Sequence, residues 1–497
     1  MAAISTGLFL SASFPKLSWY PLAWIAWVPL LWTIPHVSPG GAFRLGFLAG
    51  LVHAGTALYW IAYVVQRYGG LPLPVALSVL LLLCAYLALY PAAFAWIARR
   101  WLSRPAWWAW GLAPAWVALE WVRAHLFTGF PWTQLGYTQT PLLPLIQVAD
   151  VTGVYGVSWL VVQANAAVLI GWRFKNIRPA LAVFLCAGVA LAYGSWRLQT
   201  GNDAAGTAEE FRVGLVQGNI DQSVKWDPAY QAKTLDTYEE LSRKLVRRSR
   251  PDLVVWPETA APFFYDLEAG PTARLHEILE ALKTHLLVGI PGVVRVEGAP
   301  KLQNQALLLE PSRGVTGRYS KRHLVPFGEY VPLKKVLFFV EKLVAAAGDF
   351  QPGKEPAALP LGRHVLGVLI CYEAIFPELA RDEVRRGATV LVNLTNDAWF
   401  GDSSAPYQHK EMARWRAVEF RVPFVRCANT GISAVFTPSG KTLADLPLNT
   451  RGILSATLPP PGPITFYARF GDFFAWLCTL TTATLGVYGA LRNRRTP

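Results

Sequence analysis

Seven apolar runs of about twenty residues constrain this 497-residue chain more than any other feature. They fall at about 17–34, 45–65, 72–98, 105–122, 152–172, 179–197 and 466–490, and a hydrocarbon core takes about 20 residues of helix. An eighth run, Ala2–Phe14, is short for a span. No basic stretch of the kind that precedes a cleaved leader accompanies it, so it is expected to stay as the first membrane segment. A mean hydropathy of +0.30, 53% hydrophobic residues and 21 tryptophans against 16% charged residues exclude an ordinary soluble protein.

Between about 200 and 465 the texture changes to charged helical patterns and short β-rich runs. The expected organisation is therefore a membrane domain over 1–198 with seven transmembrane helices, an inserted domain over 199–465 long enough to bury its own core, and a last helix with its tail over 466–497. Basic clusters at Arg99, Arg100 and Arg104, at Arg173, Lys175 and Arg178, and at Arg492, Arg494 and Arg495 are expected on the cytoplasmic side. Counting segments from any of them puts the inserted domain on the opposite face, the periplasm of a bacterial inner membrane. The net charge of +14 is spread over these loops and the insert with no nucleic-acid motif beside it. Membrane lipid is the expected partner and nucleic acid is not.

Cys84, Cys186 and Cys478 lie in apolar runs, and only Cys371 and Cys427 lie in the insert. That pattern is neither a disulfide framework nor a metal motif, so no cofactor or metal is expected. Within the insert, β-rich runs at Val213–Gln217, Leu253–Trp256, Leu286–Ile290, Ala306–Leu309, Val365–Ile370, Val390–Leu394 and Phe424–Cys427 alternate with amphipathic helical patterns at about 229–248, 271–284, 376–386 and 408–421. The fold class is α/β with helices outside the sheets.

Glu258, Cys371 and Asn396 each follow a strand, where side chains enter the ligand crevice of layered α/β domains. Spacing alone leaves Cys371 open between a buried structural thiol and a nucleophile. A thiol of ordinary pKa is only a few per cent thiolate at neutral pH and needs a base or a positive charge beside it. Glu258 offers a base, and Lys321 offers a cation for an oxyanion. The plainer readings are a turn cap for Glu258, a solvated lysine for Lys321 and surface carboxylates for Glu329 and Glu373. His323, a tempting thiol partner, has no papain-like context around it.

Trp256-Pro257-Glu258, Lys321 with Pro326-Phe327-Gly328-Glu329, and Cys371-Tyr372-Glu373 resemble the Glu-Lys-Cys triad of the nitrilase, or carbon–nitrogen hydrolase, superfamily. With Leu394–Gly401, Gln408-His409, Asn429–Ser433 and the membrane segment Gly129–Tyr137 included, the whole chain resembles the membrane-embedded branch, the apolipoprotein N-acyltransferases. The resemblance implies eight spans and an α-β-β-α sandwich. It also implies a ping-pong reaction in which Cys371 takes the sn-1 acyl chain of a phospholipid as a thioester. The chain then passes to the α-amino group of a diacylglyceryl-cysteine at the start of an apolipoprotein. Glu258 is then the general base and Lys321 the stabilising cation, with Glu329, Tyr372 and Glu373 supporting them. Trp226, Asn304, Asn396 and Trp399 are the implied substrate-binding residues. The expected state is a monomer in the bacterial inner membrane. The rival reading is a membrane-tethered amidase, which would pass the acyl group to water.

Overall fold

The structure, a computed structural model, describes residues 1–175, 177–201, 210–222, 228–330 and 350–493. The chain divides into two compact units, one of Met1–Tyr63, Pro72–Thr200 and Thr465–Pro497, the other of Val64–Leu71 and Gly201–Ile464.

The first unit is helical. Among the described residues, four helices are long and apolar enough to cross a membrane: Leu73–Trp101, Val154–Arg173, Arg178–Thr200 and Phe473–Arg492. Pro39–Ala57 with Trp60–Arg67, bent by 55° at the break, makes a fifth if the pair is one span. The expectation of eight is corrected here. Ala2–Ala12 is only 11 residues long. The run 17–34 breaks into Tyr20–Trp24 and Val28–Thr33, and 105–122 into Ala106–Gly111 and Leu112–His125. Pro21 and Pro29 sit in the first turns of their pieces and Pro35 follows them. Proline fits the first turn of a helix, where its missing N–H needs no partner, so these prolines mark fresh starts to which hydropathy is blind. Gly46 and Gly50, spaced four apart on Pro39–Ala57, let that helix lie against Leu73–Trp101, because a Cβ on Gly46 would come within 2.5 Å of the Pro91 carbonyl oxygen. Trp27, Phe94 and Trp116 pack edge to face at 4.7–5.3 Å in the core. Glu120 and Arg123 are buried, and Glu120 Oε1 accepts the backbone N–H of Leu135 at 2.6 Å.

The second unit is built on two six-stranded sheets. The first contains β1 (Phe211–Gln217), β2 (Leu253–Val255), β3 (His285–Val296), β4 (Ala299–Glu310) and β5 (Gly314–Ser320). The second contains β6 (Ala358–Leu361), β7 (His364–Ile370), β8 (Val390–Thr395), β9 (Phe424–Ala428), β10 (Ser433–Phe436) and β11 (Thr442–Leu446). The last strand, β12 (Gly452–Leu458), returns to the first sheet, giving the orders β12-β1-β2-β3-β4-β5 and β11-β10-β9-β8-β7-β6. In each sheet three strands are parallel, β1-β2-β3 and β7-β8-β9.

Period-two alternation sorts the side chains. Val213, Leu215, Leu253, Val255 and Leu287 meet Leu366, Val368, Ile370, Val392 and Leu394 in one buried core. Their neighbours Val254, Leu286 and Val288 point the other way, onto Leu241, Leu245, Leu275 and Leu279 of helices Pro228–Ser249 and Ala269–Leu282. Pro377–Arg385 and Ala405–Phe420 follow β7 and β8 in the second sheet. The arrangement is an α/β sandwich with helices outside the paired sheets.

Candidate active site

Cys371 leaves β7 with φ +53° and opens the short turn Cys371–Ile375. The left-handed conformation strains any residue with a Cβ and persists only where the surroundings hold it. Glu373 supplies much of that hold. Completely buried, its carboxylate accepts the N–H groups of Ile370 at 2.7 Å, Arg322 at 2.7 Å and His323 at 3.0 Å and the Tyr319 hydroxyl at 2.9 Å. It thus joins the β5 exit to the β7 exit and is no surface carboxylate.

Lys321 follows β5, and its N–H bonds Asn304 O at 2.8 Å. Its ammonium, 1% exposed, donates to Glu329 at 2.9 Å and lies 3.7 Å from Glu258 Oε1. Asn304 Nδ2 donates to Glu258 Oε1 at 2.7 Å and to Glu329 Oε1 at 3.2 Å, and Val325 N–H bonds the other Glu329 oxygen at 2.8 Å. Burial works against the charge on Lys321, but Glu329 and then Glu258 outweigh it and hold its pKa well above the ordinary lysine value. Cys371 shares the same electrostatic neighbourhood. Burial first, then the Glu258 charge, pushes its thiol up to about 12, with Lys321 pulling the other way. The resting group is a neutral thiol beside a fixed cation.

Tyr372 packs on Phe376, ring centroids 5.0 Å apart. His323 stacks on the same phenyl at 3.9 Å. Asn396 is buried but stands outside the Glu-Lys-Glu cluster. It donates to Gln222 at 2.6 Å and accepts from Asn429 at 3.1 Å, tying three loops together. Trp399 meets Tyr68 of the Val64–Leu71 segment edge on at 4.7 Å, and the Tyr68 hydroxyl donates to Ala398 O at 2.8 Å. Trp226 lies outside the described residues. None of the five cysteines is in a disulfide, and Cys427 is sealed between the sheets with Sγ 3.2 Å from Val255 O.

Behind Cys371 lies a polar group that carried no expected role. Asn393 Nδ2 and His409 Nε2 both meet the Cys371 carbonyl oxygen at 3.2 Å. Arg426 joins Asn393 Oδ1 at 2.7 Å and Asp397 Oδ2 at 2.6 Å, and Asp397 Oδ1 faces His409 Nδ1 at 3.2 Å. All four are at most 1% exposed. Burial raises the Asp397 carboxyl, but Arg426 and His409 more than reverse that and bring it down to about 2. The available signal was polar residues inside β8 and β9, where Asn393 pairs with Arg426 in register.

A buried cysteine on a strand exit, with a buried lysine between two carboxylates and two paired sheets behind, fits the carbon–nitrogen hydrolase class, and the family model for carbon-nitrogen hydrolases matches residues 212–462. The model for the apolipoprotein N-acyltransferase N-terminal domain matches residues 6–167. The chain is 46% identical to an apolipoprotein N-acyltransferase of Geobacter metallireducens, over 100% of this chain and 95% of that protein. It is 34% identical to one of Methylococcus capsulatus, over 99% and 96%. An amidase of the nitrilase superfamily from Nesterenkonia AN1 is 23% identical, with a TM-score of 0.40, over 52% of this chain and 94% of that one. The chain belongs to the apolipoprotein N-acyltransferase family.

Proposed function

We propose that the protein moves an acyl chain from the sn-1 position of a phospholipid to the α-amino group of an apolipoprotein's diacylglyceryl-cysteine, through a thioester on Cys371. Cys371 Sγ attacks the ester carbonyl carbon while Glu258 takes the thiol proton. Lys321 Nζ and the Tyr372 backbone N–H stabilise the oxyanion. Collapse breaks the ester C–O bond, and the proton on Glu258 goes to the departing glycerol oxygen. The amine then attacks the thioester, Glu258 relays its proton to sulfur, and the amide remains. Because the resting thiol is neutral, proton removal accompanies attack rather than preceding it. Asn304, whose buried side-chain oxygen Oδ1 has no partner among the described residues, accepts the amine N–H. Trp226, Asn396 and Trp399 are assigned to the substrates, and Glu329, Tyr372 and Glu373 to support of the triad.

In this reading residues 1–198 and 466–497 form the membrane domain, 199–465 form the periplasmic catalytic domain, and the enzyme works as a monomer. Acyl chains leave a bilayer at a cost of about 0.8 kcal/mol per CH₂, so the thiol must work at the membrane.

The observation that carries the proposal is the buried Lys321 between Glu258 and Glu329 beside a strained Cys371, in a chain with helices of spanning length. Intact-mass spectrometry after incubation with phospholipid alone tests it. The expected adduct has the mass of one acyl chain, is released by hydroxylamine and is absent from Cys371→Ala. An unmodified wild-type protein that still turns over would overturn the covalent route.

A further inference from the structure

The Cys371 carbonyl oxygen accepts two side-chain hydrogen bonds, from Asn393 Nδ2 and His409 Nε2, both at 3.2 Å. These donors come from two different elements. Asn393 lies on β8, whose register pairs it with Leu369, and its amide also bonds Leu369 O at 3.2 Å. His409 comes from helix Ala405–Phe420, which packs against the turn. Each donor is itself held. Arg426 Nη1 fixes the Asn393 amide by its oxygen, so its nitrogen must face Cys371. Arg426 Nη2, bonded to Asp397, also lies 3.2 Å from His409 Nδ1. A carbonyl oxygen only accepts, so the contact at Nε2 puts the proton of a neutral imidazole there, and Nδ1, 3.2 Å from both Arg426 Nη2 and Asp397 Oδ1, takes the Arg426 N–H.

The geometry of a peptide gives this arrangement a consequence. The amide between Cys371 and Tyr372 is planar and trans, so its C=O and N–H point in opposite directions. Two donors on the oxygen therefore fix where the Tyr372 N–H points, and they polarise the amide, which makes that N–H a stronger donor. They also lock the turn that holds Cys371 at φ +53°.

We propose that His409 and Asn393 are positioning residues that aim and strengthen the Tyr372 N–H as the oxyanion donor, acting through the Cys371–Tyr372 peptide. The inference rests on the thioester reading above. It separates two reactions of the same sulfur, because thioester formation builds an oxyanion whereas alkylation by iodoacetamide does not.

The experiment uses the full-length protein in detergent and measures both rates in His409→Leu, His409→Gln and Asn393→Asp. Asn393→Asp is nearly isosteric. It keeps an oxygen for Arg426 and turns the donor facing Cys371 into an acceptor, so it tests the idea even if His409→Leu does not fold. The expected result is thioester formation about 100-fold slower in His409→Leu and Asn393→Asp, with an unchanged KM for phospholipid and alkylation within about threefold of wild type. His409→Gln, which can still offer an N–H, recovers most of the rate. If Asn393→Asp slows both reactions equally, or neither, the proposal fails and the network is only scaffold. A wild-type enzyme that turns over without forming any thioester overturns the reading of Cys371, and this inference with it, and that result is distinguishable because it appears before any variant is made.

Discussion

Replacing Glu258 with glutamine should make Cys371 more reactive toward an alkylating agent while making the enzyme inactive. Glutamine keeps the shape and an oxygen for Asn304 but removes a negative charge that, after burial, is the main cause of the raised thiol, now at about 12. A unit charge about 4–6 Å away acts with about 3–4 kcal/mol at an effective dielectric near 20, or roughly two pKa units. Lys321, freed from one of its two carboxylates, reinforces the change. The thiol should fall toward about 10, so the thiolate fraction at pH 8 rises by about 100-fold. Each thiolate becomes about tenfold less nucleophilic as its basicity falls, so alkylation should run about tenfold faster. Acyl transfer, which in the proposed mechanism loses its general base, should drop by about 10²–10⁴. Iodoacetamide labelling followed by peptide mass spectrometry, run beside a thioester assay, reads both. The opposite directions are the test. Labelling that slows or stays level in Glu258→Gln would refute the placement of an anionic carboxylate beside the thiol.

Lys321→Met should move both rates down together, since it removes the cation that eases thiol ionisation. It also leaves Glu258 and Glu329 facing each other without their shared cation, which should cost about 3–5 kcal/mol of stability in denaturant melts. Asp397 ionises below its ordinary 3.8, at about 2, so its contribution is complete above pH 3.8 and is lost as the pH falls through about 2. Asp397→Asn should lose about 2 kcal/mol at pH 7, and the loss should shrink as the pH falls below 4. Glu383 is the reverse case: burial, against the pull of Arg322, raises its carboxyl from 4.5 to about 7. The fold then holds a proton that the unfolded chain gives up, so stability falls as the pH climbs through that range. Glu383→Gln should gain about 3 kcal/mol at pH 8 and nothing below pH 4, read by thermal melts in detergent.

The strands that sequence made legible are those buried on both faces. Each of the seven expected runs lies on a strand, though Trp256 falls one residue beyond the end of β2. The strands that escaped notice, β5, β6, β10, β11 and β12, are short or partly exposed, and their patterns break at residues such as Gly317, Pro360 and Asp445. Glu258 and Cys371 stood out because each follows an expected strand, and Lys321 through the Pro326-Phe327-Gly328-Glu329 motif after it, since β5 itself escaped notice. Glu373 was legible only as a supporting carboxylate, since a group that satisfies four donors within the fold looks in sequence like any charged residue after a strand. The overcount of spans has a different origin. Apolar composition measures affinity for lipid, whereas the short helices that carry Pro21, Pro29 and Pro35 in their first turns divide the greasy run 17–34 into pieces.

The pairing of β1 with β12 ties Phe211 to Leu458, and this sets the timing of folding. These partners are separated by about 250 residues, so the ladder closes only after nearly the whole insert has been made, a high-contact-order step that is intrinsically slow. Until then the outer edge of β1, a buried and apolar strand in the finished protein, is a bare row of amide and carbonyl groups that invites a wrong partner. The newborn domain therefore passes through a vulnerable interval, ended by the last strand to arrive. A truncation just before Gly452 should leave an aggregating half-sheet rather than a smaller enzyme.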